Sequence, residues 1–432
     1  MGILIKLKRM LKDRKVLLAF LLAILLSVFG YFTNNWPLFS GETLNRYTFM
    51  EWVKRFLSDD EESLPGAFFV NTSMDKQLID VYENECKVGT TEVTDRRKLL
   101  AFLKLLKQTD YKYLVIDIRF PDELACQDSA GSQVDKELFD QIRSMDRCVV
   151  ATHHDMKLLG GLESKAALAD YKSTVTSTNF IRYEYFDVFD SIPSIPLHVY
   201  NEIRKEQHLD TINYSRSSPY FGMYSEGGVL CQNSLFLEFS SKGFPQLKKI
   251  LTELGDSLIV EQYSYEDMGR MFVDHLDSCS EAEMVEQLQD MMDPGRKGNR
   301  PIVFIGNLAE DLHDTYAGLQ PGTVILYKAI CALQDGKHIV SPIRSVLLFL
   351  MYFAISLFIF KRKSLLDFVP EKYQLKFPLF SFLLQMLGVS ALLFVADIVC
   401  VKVYGVTTNF VLAILVFGFL KLHLQFKRQR YE

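Results

Sequence analysis

Four apolar runs, 16–32, 345–360, 378–400 and 406–424, constrain this chain more than any other feature of it. Each approaches the roughly 20 residues that an α-helix needs to cross a hydrocarbon core. Between the first and the second lies a long stretch of mixed polarity, sized for a large globular domain. The composition averages the two kinds of segment: 49% of the residues are hydrophobic and the mean hydropathy is +0.07. A purely cytosolic enzyme is excluded by the runs, and a disordered chain by the 13% aromatic content.

Basic flanks set the orientation, because Lys and Arg beside short hydrophobic segments stay on the cytoplasmic side. Residues 1–15 carry Lys6, Lys8, Arg9, Lys12, Arg14 and Lys15. Lys361, Arg362, Lys363, Lys372 and Lys376 fall between the second and third runs, and Lys427, Arg428 and Arg430 follow the fourth. The expected organisation is a cytoplasmic N-terminus (1–15), a span (16–32), an extracytoplasmic domain (33–342), a span (345–360), a cytoplasmic loop (361–377), two spans (378–400 and 406–424) and a cytoplasmic tail (425–432). The segment Tyr31-Phe32-Thr33-Asn34-Asn35-Trp36 offers no small-x-small cleavage site, so the first span is read as an uncleaved anchor.

The charges divide along the same line. The cytoplasmic pieces, with Lys421, hold 15 basic and 4 acidic residues, whereas 33–344 holds 32 basic and 48 acidic. An outer domain with that acidic excess argues against nucleic acid and permits a cation or a cationic partner. Six cysteines fall in it, Cys86, Cys126, Cys148, Cys231, Cys279 and Cys331. That number allows three disulfides without requiring any, and no CxxC or Cys/His cluster points to zinc.

Within the outer domain, 43–57 has the spacing of a stalk helix. Ala67-Phe68-Phe69-Val70, Tyr113 to Ile118, Cys148-Val149-Val150-Ala151 and Pro301 to Gly306 read as buried strands, with amphipathic helices at 94–106 and 134–145 between them. That alternation predicts an α/β fold, a largely parallel sheet with covering helices and a mixed insert over 152–300. Within the insert, 175–189 and 230–239 are β-rich, Ile192 to Pro196 is a turn, and 244–254 and 265–292 are helical. After the last strand the pattern predicts a loop at 307–322 and a helix at 323–335, only about ten residues before the second span.

This layout, one span, an outer α/β domain and three closely spaced spans, resembles the type-two CHASE domain, a sensory module of bacterial cyclases and histidine kinases. Leu114 to Phe120 is similar to that family's apolar strand ending in Asp-Ile-x-Phe, and Asp135 to Ile142 to its Asp-x-x-Leu helix. Ile305-Gly306, Asp311, Thr315, Pro321-Gly322 and Ala329 are similar to its closing series. Tyr316 stands where the family often has Pro, and Leu326 or Tyr327 where it often has His. The resemblance implies a bacterial inner-membrane protein with a periplasmic sensor. Only 425–432 follow the last run, so any signal is expected to pass to a separate cytoplasmic or membrane partner.

Candidate ligand-binding residues follow from position. Asp117 ends a parallel strand, where open α/β sheets place ligand contacts. His153 and His154 follow the neighbouring strand, and Asp311, His313 and Thr315 follow the strand at 302–306. No HxH or HExxH spacing accompanies them, so no metal ligand set is assigned. The absence of GxSxG and of a Gly-rich phosphate loop argues against enzyme and cofactor chemistry. Pro321, Gly322 and Arg344 are the candidate coupling residues between the domain and the membrane. The leading expectation is a non-enzymatic sensor binding a small molecule or protein on its outer side, with homo-oligomers allowed. An accessory envelope subunit and, further off, a metal-dependent hydrolase remain alternatives.

Overall fold

The computed structural model describes residues 13–33, 66–73, 75–83, 86–121, 124, 129–153, 156–169, 182–185, 192–212, 223–226, 229–237, 281–293, 298, 300–315, 318–361, 378–404 and 410–429. The segments read as helices at 43–57 and 244–254, and the part of 265–292 before 281, lie outside them. In chain order the elements are α1 (Arg14–Thr33), β1 (Ala67–Asn71), β2 (Lys76–Glu83), β3 (Cys86–Thr94), α2 (Arg96–Leu106), β4 (Tyr113–Asp117), α3 (Ser129–Arg143), β5 (Cys148–Thr152), β6 (Ala166–Leu168) and β7 (Arg182–Glu184). They continue with α4 (Ile195–Glu206), β8 (Met223–Glu226), β9 (Val229–Gln232), β10 (Ser234–Phe236), α5 (Glu281–Met292), β11 (Ile302–Gly306), β12 (Leu312–Thr315), β13 (Gly318–Pro321), α6 (Gly322–Gln334), α7 (Pro342–Phe360), α8 (Pro378–Tyr404) and α9 (Val411–Gln429).

The centre is a five-stranded sheet in the order β1-β11-β4-β5-β6, with every neighbouring pair parallel. Its inner strands are short unbroken apolar runs because both faces are covered, so neither can be polar. Alternate residues point to opposite faces and build two cores. Phe69, Val115, Val149 and Phe304 pack on one face with residues of α4 and α6. Phe68, Val70, Leu114, Ile116, Val150, Val303 and Ile305 pack on the other with residues of α2, α3 and α5.

Local chemistry starts the covering helices. The Asp95 carboxylate accepts from the N–H groups of Arg97 and Lys98 at 3.0 and 3.2 Å, which caps α2. Ser194 caps α4 by accepting from Leu197 N–H at 3.4 Å. Pro196 sits in the first turn of that helix, where a missing N–H costs nothing. The Ile192 to Pro196 stretch read as a turn is therefore a helix entrance, and α4 was not foreseen.

Two further corrections concern strands. The expected loop over 307–322 contains a hairpin, β12 paired antiparallel with β13. A longer hairpin, β2 with β3, fills the gap between β1 and α2. Of the six outer cysteines, for which the sequence allowed disulfides without requiring any, Cys148, Cys231 and Cys331 carry free thiols.

A third apolar cluster joins α1, α7, α8 and α9, with Ala23, Leu26, Leu348, Tyr352, Leu393 and Phe417 at its centre. Gly418 of α9 lies where a methyl group would meet Met386 Sδ of α8 at 3.3 Å, so its small size permits that approach. Among the described residues one helix, α7, is both long and apolar enough to cross a membrane. The corresponding apolar stretches Met386–Cys400 and Leu412–Leu424 are shorter.

Candidate functional site

The parallel order delivers the C-terminal ends of all five strands to one edge, where a cavity of about 780 Å³ opens. Its floor takes one residue from each strand end: Thr72 after β1, Asn307 after β11, Asp117 closing β4, His153 after β5 and Ala169 after β6. One wall is the β2–β3 hairpin, through Lys76 and Glu92 to Thr94. The segment after β11 adds Glu310, Asp311 and His313, with Glu310 touching the hairpin through Lys76, and exposed Arg119 also lines the cavity.

Side chains that satisfy backbone groups hold these loops in place. The Asn71 side-chain oxygen accepts from Ser73 N–H at 3.1 Å and from Leu308 N–H at 3.0 Å, tying the ends of β1 and β11 together. Asn307 accepts from the N–H groups of Ala309 and Glu310 at 3.3 and 2.9 Å, which turns the chain toward Asp311. Asp117 and Asn71 both pair in register with Gly306, and Thr72 N–H donates to the Gly306 carbonyl at 2.9 Å. Gly306 is needed there because a Cβ would come within 2.6 Å of Thr323 Cγ2 and 3.3 Å of Asp117 Cβ. The end of β11 can therefore lie against the first turn of α6.

The cavity is electrostatically uneven. Lys76 and Glu310 pair at 3.1 Å, and Asp311 Oδ1 lies 3.2 Å from His313 Nε2. Hydrogen bonds from Asn307 and then Lys76 hold the Glu310 carboxyl below its ordinary pKa. Asp117 goes the other way, pushed up to about 7. Its removal from water is the largest cause and the neighbouring Asp311 carboxylate adds to it, partly offset by His313 and Arg119. Thr72 is 1% exposed, and its hydroxyl has no hydrogen-bond partner among the described residues.

Of the residues expected from the sequence, Asp117, His153, Asp311 and His313 share this cavity. His154 lies outside the described residues. Thr315 is buried on β12, opposite Gly318, and is not on the cavity wall. Among the described residues no group of three or more His, Cys, Asp or Glu side chains is placed to hold a metal ion. Sequence reasoning missed Thr72, Lys76 and Glu92. The signal for the last two was the β-branched run from Lys87 to Thr94 (Lys-Val-Gly-Thr-Thr-Glu-Val-Thr), which pairs with 76–83 as a hairpin.

The expected coupling residues occupy the path from this cavity to α7. Pro321 and Gly322 start α6, and Gly322 N–H donates to the carbonyl of Asp311 at 3.0 Å. Beyond α6, residues 335–341 are pinned to β9. Gln232 N–H donates to the His338 carbonyl at 2.9 Å, Val340 N–H to the Leu230 carbonyl at 2.8 Å, and Gln232 Nε2 to the Lys337 carbonyl at 3.2 Å. The His338 ring is buried against Tyr185 and Tyr200, and burial followed by the nearby Arg204 charge lowers its pKa to about 4. Ser341 then caps α7 by accepting from Arg344 N–H at 3.4 Å, and Arg344 is buried in the first turn.

No family model, curated protein or solved structure matches this chain.

Proposed function

We propose that this is a non-enzymatic, membrane-anchored sensor of the type-two CHASE kind, facing the periplasm of a bacterial inner membrane. In this reading α1, α7, α8 and α9 cross the membrane, both termini are cytoplasmic, and the strand-end cavity takes a small ligand. A separate cytoplasmic or membrane protein receives the signal. The observation that carries it is one shared residue: Asp311 lines the cavity with its side chain region and accepts from the first N–H of α6 with its carbonyl.

From that contact the route to the bilayer is short and stiff. Helix α6 packs along the sheet, its C-terminal connector is hydrogen-bonded to β9, and α7 begins at Pro342. A ligand that binds better to one position of 307–313 biases α6, and only such differential affinity shifts the membrane helices. Among the described lining residues there is no Ser or Cys to act as a nucleophile, which favours binding over hydrolysis.

The test is hydrogen–deuterium exchange on the full chain in lipid nanodiscs, against a panel of dialysable small molecules. A molecule that raises the melting temperature is expected to slow exchange at 307–313 and also over 322–344. Protection confined to the cavity loops, or no stabilising molecule at all, sinks the sensor. A second reading, an accessory envelope subunit, is favoured by the β2–β3 hairpin, whose Leu78 and Val88 are 69% and 55% exposed.

A further inference from the structure

We propose that the cavity recognises the ammonium group of a small amine or amino acid, held between Asp117, Asp311 and the Thr72 hydroxyl. The proposal rests on the reading of this cavity as the ligand site and names the chemistry it selects. A primary ammonium has three N–H donors and no acceptor, so it needs three acceptors converging on one point. Asp117 and Thr72 flank the end of β11 on either side of Gly306, about 10 Å apart at the backbone by the usual spacing of adjacent strands. Asp311 comes from the segment that follows β11, lines the same cavity, and its charge raises the pKa of Asp117.

Thr72 supplies the observation that is independent of the acids. A hydroxyl that is 1% exposed and has no hydrogen-bond partner among the described residues is costly unless something else uses it. Turning it into the cavity breaks no existing hydrogen bond. A bare metal ion is a poorer fit, since the described residues bring no three-ligand set together. Beside these three groups, Lys76 and Glu310 cancel each other, and His313, 3.2 Å from Asp311, is a counter-charge only when protonated. Exposed Arg119 and exposed Glu92 on the hairpin are the other ionic groups, with His153 on the floor. Arg119 is the group that distinguishes the two sources of ammonium, because only an amino acid has a carboxylate to offer it. The raised pKa of Asp117 agrees with a site short of positive charge: a cation restores its ionisation, and binding releases a proton near neutral pH.

The experiment uses the full chain in nanodiscs at pH 8, with methylammonium, glycine and acetate as probes against sodium chloride of equal ionic strength. Methylammonium and glycine are expected to raise the melting temperature progressively with concentration, and acetate to have no effect. Asp117→Asn, which keeps the shape of the side chain, is expected to abolish both shifts. Thr72→Val should weaken them about ten-fold, the loss of one hydrogen bond to a charged group. A larger shift with glycine than with methylammonium assigns an amino acid through Arg119, and equal shifts assign an amine. Stabilisation by acetate equal to that by methylammonium, or shifts that survive in Asp117→Asn, overturns the proposal. If none of the three probes binds while another molecule still protects 307–313 and 322–344, the ammonium assignment falls and the sensor reading stands.

Discussion

The two faces of the central sheet are equally apolar but are finished differently. On the α2–α3–α5 face the buried charges are paired within the fold: Arg96 pairs with Asp135 at 2.5 Å and also donates to the Leu124 carbonyl at 2.6 Å. Lys98 likewise pairs with buried Asp75 at 2.7 Å. On the α4–α6 face the strand ends leave charge and hydrogen-bonding capacity unspent, with Asp117 raised in pKa and the Thr323 hydroxyl buried without a hydrogen-bond partner among the described residues. The first face reads as a foundation, whereas the second, which leads into α7, carries the groups that the proposed ligand would change.

The contrast is broken most severely at the foundation. Arg96→Ala leaves Asp135 as a buried, uncompensated charge and is expected to cost about 3–5 kcal/mol in denaturant unfolding, without selectively altering exchange at 322–344. Next comes acid. His338 has a folded pKa near 4, below its ordinary 6.5, so the unfolded chain takes up the proton first. Stability is therefore complete above pH 6.5 and falls by on the order of 3 kcal/mol as the pH drops to 4. In His338→Phe that acid-side loss should disappear from the pH dependence of the melting temperature.

Asp117 acts in the opposite direction and sharpens the comparison. Its folded pKa of about 7 lies above its ordinary 3.8, so ionising it between those values costs stability that is intact at lower pH. Asp117→Asn should stabilise the protein by roughly 2–3 kcal/mol at pH 8, allowing for screening by water in the cavity, and should do nothing at pH 3. Such a destabilisation is the cost that the proposed ligand role of Asp117 would carry. Gly306→Ala forces a methyl group against Thr323 and is expected to cost about 1–2 kcal/mol, with faster exchange in the first turn of α6. The smallest effect belongs to Lys76→Ala, which removes an exposed ion pair with Glu310 and should change stability by less than about 1 kcal/mol.

Much of the framework was legible because its signals are local. Runs such as Leu114-Val115-Ile116 and Val303-Phe304-Ile305 have no polar face, so they declare strands buried on both sides. The apolar spacing from Leu99 to Leu106, behind a capping Asp, declares a helix. Part of the site was legible for the same reason, since a residue just past a parallel strand has few other places to be: Asp117, His153 and Asp311 were found in that way. The hairpin wall was not legible, because alternating residues such as those of 87–94 declare a strand but not its partner. Helix α4 was hidden by Pro193 and Pro196, which read as a turn until Ser194 and the packing against α6 show the second proline to lie in a first helical turn.

What the sequence determined by itself is the set of segments that must leave water: the apolar runs at the two ends, the four strands of the sheet centre and the stripes of the helices that cover them. Burial of apolar surface depends on composition and period, and both are properties of short stretches. What only the tertiary structure decided is adjacency. The order β1-β11-β4 brings residues near 72, 117 and 311 to one cavity, although more than two hundred residues separate β1 from β11. That order arises from the closing of long loops around a shared core, and no local stretch carries the information that Thr72 and Asp117 will flank Gly306.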